Sequence, residues 1–501
     1  MKKLIIIGWN NIDWIKIQKI VFKWQQAIYS ASKSGDIRLV RKLQKRLVNS
    51  PSAKLLAVRR ITQDNRGKAT ACVDKVKILV PSKRFTLAQQ LKLPIKSSPF
   101  RRVWIHKPAT NEKGPLEIPT IKDRCTQALV KLALEPEWEA RFEPNSYGFR
   151  PGRKCQDAVK AIYDCLVKGS KYVLDADIAK CFDQINHDAL IRKIGMKGAF
   201  ARQIKYWLKA GVLDSNIFQH PQSRTPQGEV ISPLLANIAL HGLETHLKTW
   251  ASTRKIKYNS GKPIKTNHRA DSLQMIRYAN DFIVLHPDRQ VILDCKAVIK
   301  EFLAEIGLEL SKAKTRVTHS LKLDPVNDTT ELGFDGIVGF NFLGFTFKQY
   351  KTQHKSAKST SGKHLSYKTL IYPSTKSVAK QNKKLHELIL KQGKTLNQKT
   401  LIQKLNPIIR GWASYFGTSH ANTTRHLIRQ DYTLYLKLRQ WAKRKSGTSG
   451  KGAKFWRRVE NNKWEFGTGT IKLLQHRNYS NPINKFVKVR SENSPFGSEQ
   501  L

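Results

Sequence analysis

Charge constrains this chain more than any other feature. Its 501 residues include 91 Lys and Arg against 37 Asp and Glu, a formal net charge of +54 at pH 7. Self-repulsion on that scale calls for a polyanionic partner, nucleic acid first and an anionic membrane second. An ordinary enzyme of small neutral substrates is excluded. Disorder is another fate of such charge, but 40% hydrophobic residues, with 11 Trp, 14 Tyr and 20 Phe, supply material for real cores. The length suits roughly two to four domains. Six cysteines (72, 125, 155, 165, 181 and 295) form no Cys-x-x-Cys pair and no Cys/His metal spacing. That argues for a reducing compartment and against a zinc module. The early apolar stretch 4–9 is too short for a membrane span or a signal-peptide core, so no secretion signal and no membrane partner are expected.

Helical periodicity runs through 12–50. Trp14, Ile17, Ile20, Val21, Trp24 and Ile28 share one face, and Leu39, Leu43 and Leu47 another. Between 50 and 165, short strands and helices mix: 102–105 predicts a strand, Lys113-Gly114-Pro115 a turn and 126–134 a helix. Two β-rich runs, 172–174 and 282–285, each flank a carboxylate, with helical stretches between them. This is an α+β pattern, not a regular βαβ repeat. Residues 336–430 then hold 17 Lys or Arg and one acid, Glu387. Helical patterns follow at 376–395, 398–415 and 421–445. A Gly/Ser/Lys linker at 446–454 leads to a last segment with Trp456 and Trp464.

The carboxylates carry the chemistry. Asp177 ends a β-run within Val-Leu-Asp-Ala-Asp-Ile-Ala-Lys-Cys-Phe-Asp (173–183), and Asn280-Asp281 stands between apolar runs, as at a hairpin tip. If the strands pair, Asp177 meets that tip. Phosphoryl transfer from a nucleoside triphosphate uses two divalent ions about 3.5–4 Å apart. A few carboxylates plus substrate phosphates suit Mg²⁺. Either site alone is also ordinary turn chemistry. Between them, Thr-Pro-Gln-Gly-Glu-Val-Ile-Ser-Pro-Leu-Leu-Ala-Asn (225–237) is a loop entering a helix, with Ser232 as N-cap and Pro233 at the first helical position. Gln227-Gly228 would bring backbone close to a base pair.

In this order the motifs resemble the reverse transcriptases of group II introns, the family also called intron maturases. Upstream, Arg102-Val103-Trp104-Ile105-His106-Lys107, the run from Ile118 to Arg124 and Asn145-Ser146-Tyr147-Gly148-Phe149-Arg150-Pro151-Gly152-Arg153 are similar to its finger motifs. Downstream, Leu310-Ser311-Lys312-Ala313-Lys314-Thr315 and Phe340-Asn341-Phe342-Leu343-Gly344-Phe345 resemble later palm motifs. Leu405-Asn406-Pro407-Ile408-Ile409-Arg410-Gly411-Trp412, with Tyr415, resembles the maturase domain.

The resemblance implies an α+β right-hand fold of fingers and palm, followed by a basic α-helical thumb and maturase domain. The expected division is 1–75 for an N-terminal helical extension and the start of the fingers, 76–350 for fingers and palm, 351–490 for thumb and maturase domain, and 491–501 for a tail. Asp177 and Asp281 become the catalytic carboxylates that hold Mg²⁺. Phe182 becomes a gate against a 2′-hydroxyl, Gln227 and Gly228 line nucleotide and template, and Arg124 and Lys314 lie near phosphates. RNA contacts are expected from Arg410, Trp412, Tyr415, Arg425, Arg429, Trp441, Lys443, Arg444 and Lys445, the aromatics adding stacking surfaces to the cations. Packing inside the helices is the alternative for the aromatics.

Several positions depart from the family pattern. It has Asp-Asp at the hairpin, where this chain has Asn280-Asp281, a degenerate catalytic position. At an effective dielectric near 20, a unit charge pair at ~4 Å is worth ~4 kcal/mol. Losing about 3 kcal/mol slows chemistry roughly a hundredfold. Gly114 stands in place of an Arg, Glu117 and Glu229 in place of glycines, and Cys72 and Lys75 in place of finger glycines. The expectation is therefore a splicing cofactor that binds group II intron RNA, its own host intron foremost, with a weakened two-ion Mg²⁺ site. An active RNA-directed DNA polymerase of a mobile intron, meeting a DNA target or cDNA, is the second reading. A product with neither activity is the third. No cysteine follows Cys295, so the family's optional Cys-rich endonuclease is not expected. An organelle or a bacterial cytoplasm suits such a protein.

Overall fold

The computed structural model describes residues 8–106, 113–214, 217–219, 230–256, 263–322, 338–352, 366–417, 423–447, 451–459, 463–480 and 493–497. At the N-terminal end, helices Trp14–Lys33, Ile37–Asn49 and Pro51–Arg59 begin at Asp13, Asp36 and Ser50, whose side chains accept the backbone N–H three residues on. They pack on the long helix Ile121–Glu139. Pro136 lies inside that helix and has no N–H to offer Leu132. The Gln25 side chain takes over, donating to the Leu132 carbonyl at 2.9 Å. Ser32 and Gln44 similarly donate to the carbonyls of Glu137 and Ala133. The inner face of the second helix is carried by Val40, Leu43 and Leu47, while Leu39 is 40% exposed, so the expected stripe is displaced by one residue at its start.

The first sheet joins β1 (Phe100–His106), β2 (Lys113–Ile118), β4 (Val212–Asp214) and β5 (Ile217–Gln219) in the order β2-β1-β4-β5. The turn expected at 113–115 is instead the start of β2, with Pro115 opposite Trp104. An edge strand tolerates a proline because its outer side needs no N–H. The second sheet joins β3 (Tyr172–Asp177), β6 (Gln274–Tyr278), β7 (Asp281–His286) and β8 (Arg316–His319) in the order β6-β7-β3-β8. Its two central strands, β3 and β7, are apolar on both faces, as burial between helices requires.

A third sheet, of β9 (Phe340–Phe342), β10 (Phe345–Lys351) and β11 (Tyr367–Pro373), alternates buried and accessible residues. Helices Thr375–His386, Gln398–Phe416 and Thr424–Ser446 follow, close to the periodicity, and then the hairpin of β12 (Trp456–Val459) and β13 (Lys463–Phe466). These late elements enclose a core of their own, built on Leu385, Ile389, Leu401, Leu405, Leu438 and Trp441. Among the described residues, no helix is long and apolar enough to cross a membrane.

Candidate polymerase centre and nucleic-acid interface

Strands β3 and β7 are antiparallel, with Asp177 directly opposite Asp281. The hairpin between β6 and β7 turns on Ala279 and Asn280, and Ala279 adopts φ +59°, a left-handed conformation that costs an L-residue about 1–2 kcal/mol. The turn is braced from outside. Asn145–Tyr147 runs beside β6, Tyr147 N–H donating to the Arg277 carbonyl at 2.8 Å and Arg277 N–H to the Asn145 carbonyl at 2.9 Å. Gly148 then abuts the turn: a Cβ there would stand 2.3 Å from the Ala279 nitrogen. Arg277, 2% exposed, donates through Nη1 to Asn237 Oδ1 and the Ala279 carbonyl, and Asn237 donates to the Gly148 carbonyl. Burial pulls the Arg277 guanidinium down to about 10, still cationic at neutral pH.

At the tip, Asp177 is buried and both its oxygens are engaged. Asn280 Nδ2 donates to Oδ1 at 2.7 Å, and the Lys314 ammonium pairs with Oδ2. Asp281 lies exposed beside it. Desolvation by the surrounding protein, then the hydrogen bond and negative charge of Asp177, push its carboxyl up to about 7, against the opposing pull of Lys314. Among the described residues, no three His, Cys, Asp or Glu side chains converge into a metal set. Asp177 and Asp281 offer the hard oxygens a dication prefers. Asn280, the position expected to be degenerate, turns an amide donor, not an acceptor, toward Asp177.

The other expected residues divide. Phe182 is half-buried against the main core, one turn beyond Asp177. Gln227, Gly228 and Glu229 lie outside the described residues. The helix after them spans Ser232–Leu240, with Ile231 rather than Ser232 as its cap. Arg124 is buried, and its guanidinium donates to the carbonyls of Gly67 and Thr70. Lys314, expected near phosphates, has its ammonium paired with Asp177. Two departures are absorbed locally. Glu117 is buried but paired with Arg102 directly across the sheet at 2.8 Å. Lys75 adopts the left-handed φ of +54° that a glycine would take without cost.

In the helical region, Trp441 is a correction. It is 2% exposed, its Nε1 donates to the Gly393 carbonyl at 2.7 Å, and it packs on Phe455 and Phe466. It faces inward because Leu427, Leu434, Leu438 and Trp441 fall on one helical face. Trp412 and Tyr415 are half-buried against the second core, and the Tyr415 hydroxyl donates to the Leu343 carbonyl. By contrast Arg410, Arg425, Arg429, Lys443, Arg444 and Lys445 are all exposed, and among the described residues none of these side chains has an ion-pair partner. The helix Thr424–Ser446 has one acid, Asp431, which is consumed internally by His476 and Arg477.

The sequence reading missed Arg277 and Asn237 as braces of the hairpin. The signal available was an arginine between Ile276 and Tyr278 in a β-rich run, a charge that must be neutralised or hydrogen-bonded if it is buried.

Comparison with known proteins agrees with this geometry. Residues 9–91 match the N-terminal domain of reverse transcriptase, 105–347 match reverse transcriptase (RNA-dependent DNA polymerase), and 378–460 match the group II intron maturase-specific domain. A 91 kDa protein of the cob intron of Schizosaccharomyces pombe is 28% identical over 370 residues, covering 64% of this chain and 44% of that one. The group II intron-encoded protein LtrA of Lactococcus lactis is 32% identical over 271 residues, 44% of this chain and 45% of that one. Maturase-like protein 1 of Euglena gracilis is 31% identical over 251 residues, 47% and 52% of the respective chains. The chain thus spans about half the length of these relatives. With polymerase and maturase-specific regions in this order, it belongs to the group II intron reverse transcriptase/maturase family.

Proposed function

We propose that this protein is a splicing maturase. It binds the folded RNA of a group II intron, its own host intron foremost, and stabilises the fold in which the RNA excises itself. The observation that carries this reading is the coincidence of the maturase-specific match with helices whose outward cations have no ion-pair partner among the described residues. Such cations neutralise phosphates and make binding steeply salt-dependent, while loops and bulges of structured RNA provide specificity. The setting is an organelle or a bacterial cytoplasm, wherever that intron is transcribed. The expected division of the chain, with the maturase region taken as 351–490, assigns this role to its C-terminal part.

The polymerase corner is read as weakened. Reverse transcriptase domains generally work with Mg²⁺. Here Asp177 and Asp281 would hold it, and the ion would supply charge neutralisation for nucleotide phosphates. Asn280 lowers the negative charge available, and Lys314 competes for Asp177. The second reading, an active RNA-directed DNA polymerase, is favoured by the register that still sets Asp177 opposite Asp281. The deciding experiment is splicing of the intron RNA that encloses the reading frame, at low Mg²⁺, with and without purified protein. Acceleration by the protein is expected. Unchanged splicing, alongside brisk cDNA synthesis, would replace the first reading by the second.

A further inference from the structure

The outer face of helix Thr424–Ser446 carries more than charge. Arg425, Tyr432, Arg439 and Lys443 recur at intervals of seven, seven and four residues, so they form one line along the helix. Tyr432 is 62% exposed and Tyr435 44%. Beside them stands the β12–β13 hairpin, whose Trp464 is 60% exposed and whose Trp456 meets Tyr435 edge-on, ring centroids 6.0 Å apart. Two adjoining grooves are lined by these rings. One includes Tyr432 and Arg477, the other Arg439 and Lys443, and Tyr435, Trp456 and Trp464 line both. These three aromatics therefore form a ridge with a groove on each side.

Large exposed aromatics gathered in one place mark a binding surface more often than isolated ones do. Here they alternate with cations, and Asp431, the acid in the first groove, is already paired with His476 and Arg477. Flat π-faces beside Arg439 and Lys443, which have no ion-pair partner among the described residues, suit bases whose phosphates run alongside, and they need those bases unstacked from a duplex.

We infer that this ridge, with Tyr432 in the groove beside it, binds unpaired nucleotides of RNA, the bases stacking on Tyr432, Tyr435 and Trp464 while Arg439 and Lys443 take the phosphates. The inference deepens the maturase reading and rests on it for the choice of RNA. It adds a contact to single-stranded segments that the cationic surface alone does not specify.

The test compares the full chain with the Tyr432→Ala/Tyr435→Ala/Trp464→Ala variant. The probes are a short labelled oligo(A) RNA, the DNA strand of the same sequence and an RNA duplex. These side chains are exposed, so the fold is expected to survive, as thermal unfolding would verify. Affinity for the RNA strand should fall by about tenfold or more. The slope of log affinity against log salt should stay, because the cations remain. Replacing the three residues by Phe should restore most of the affinity. Arg439→Gln/Lys443→Gln should instead reduce the slope. Unchanged single-strand affinity in the triple variant would overturn the inference. So would an equal loss for the duplex, tighter binding of the DNA strand than of the RNA strand, or a wild-type dimer that the variant merely dissociates. Wild-type binding of the intron RNA is measured in parallel. If it is present while the triple variant keeps single-strand affinity, the ridge fails and the maturase reading stands; if it is absent while the variant loses that affinity, the reverse holds.

Discussion

The hairpin corner and the late basic helices use charge in opposite ways. At the corner, the buried charges find partners within the protein: Asp177 in Asn280 and Lys314, and Arg277, through Nη1, in Asn237 and the Ala279 carbonyl. Along Thr424–Ser446, cations point outward and the only acid is withdrawn into contacts with His476 and Arg477. A region whose charges are internally matched gains little from an external anion. A region of unmatched cations is less self-repelling when one is bound. The contrast separates a corner whose buried charges are paired within the protein from a helix that turns its cations to solvent.

That contrast can be broken at four points. The largest effect is expected from Trp441→Ala. Deleting this buried ring should cost about 4 kcal/mol, read by denaturant unfolding. A near-neutral result would mean that Trp441 is available to RNA after all. Next comes Arg102→Ala, which leaves Glu117 buried without its counter-charge and should cost about 3 kcal/mol. A variant replacing both residues by Met should recover most of that loss, and no recovery would show that the pair is not what holds the strands. Third, Asn280→Asp should raise primer extension on an RNA template by up to roughly a hundredfold over wild type, with Asp177→Ala as the blank. Equal extension by wild type and Asn280→Asp would remove the idea of a weakened corner. The smallest change in stability, under about 0.5 kcal/mol, is expected for Arg425→Gln/Arg429→Gln. The same pair should lower the salt slope of RNA binding by about 2. A large loss of stability with an unaltered slope would return these arginines to structural roles.

Much of this organisation was legible in the sequence. The runs at 172–174 and 282–285 did become paired strands, because short β-branched and aromatic stretches beside turn residues have few other outcomes. The helix at 398–415 appeared almost to the residue, and the one expected at 421–445 runs over Thr424–Ser446, since periodicity over several turns is hard to mistake. Strand β2 was missed because proline and glycine signal a turn unless the strand lies at a sheet edge, and edges are a tertiary fact. Trp441 was misplaced because Lys443, Arg444 and Lys445 suggested a basic surface, when spacing from Leu434 and Leu438 already assigned the ring inward. The partners of Asp177 were beyond reach for another reason. Which atom of Asn280 faces the carboxylate, and whether Lys314 arrives there, depend on three segments far apart in the chain.

The close approach of Gly148 to Ala279 has a consequence for how this protein can vary. Any side chain at 148 would push the finger loop off the hairpin, and any retreat of the hairpin would carry Asn280 with it. The two positions can drift through generations only in step, so a lineage that acquired an aspartate at 280 would inherit a tip already shaped by its neighbour's missing side chain.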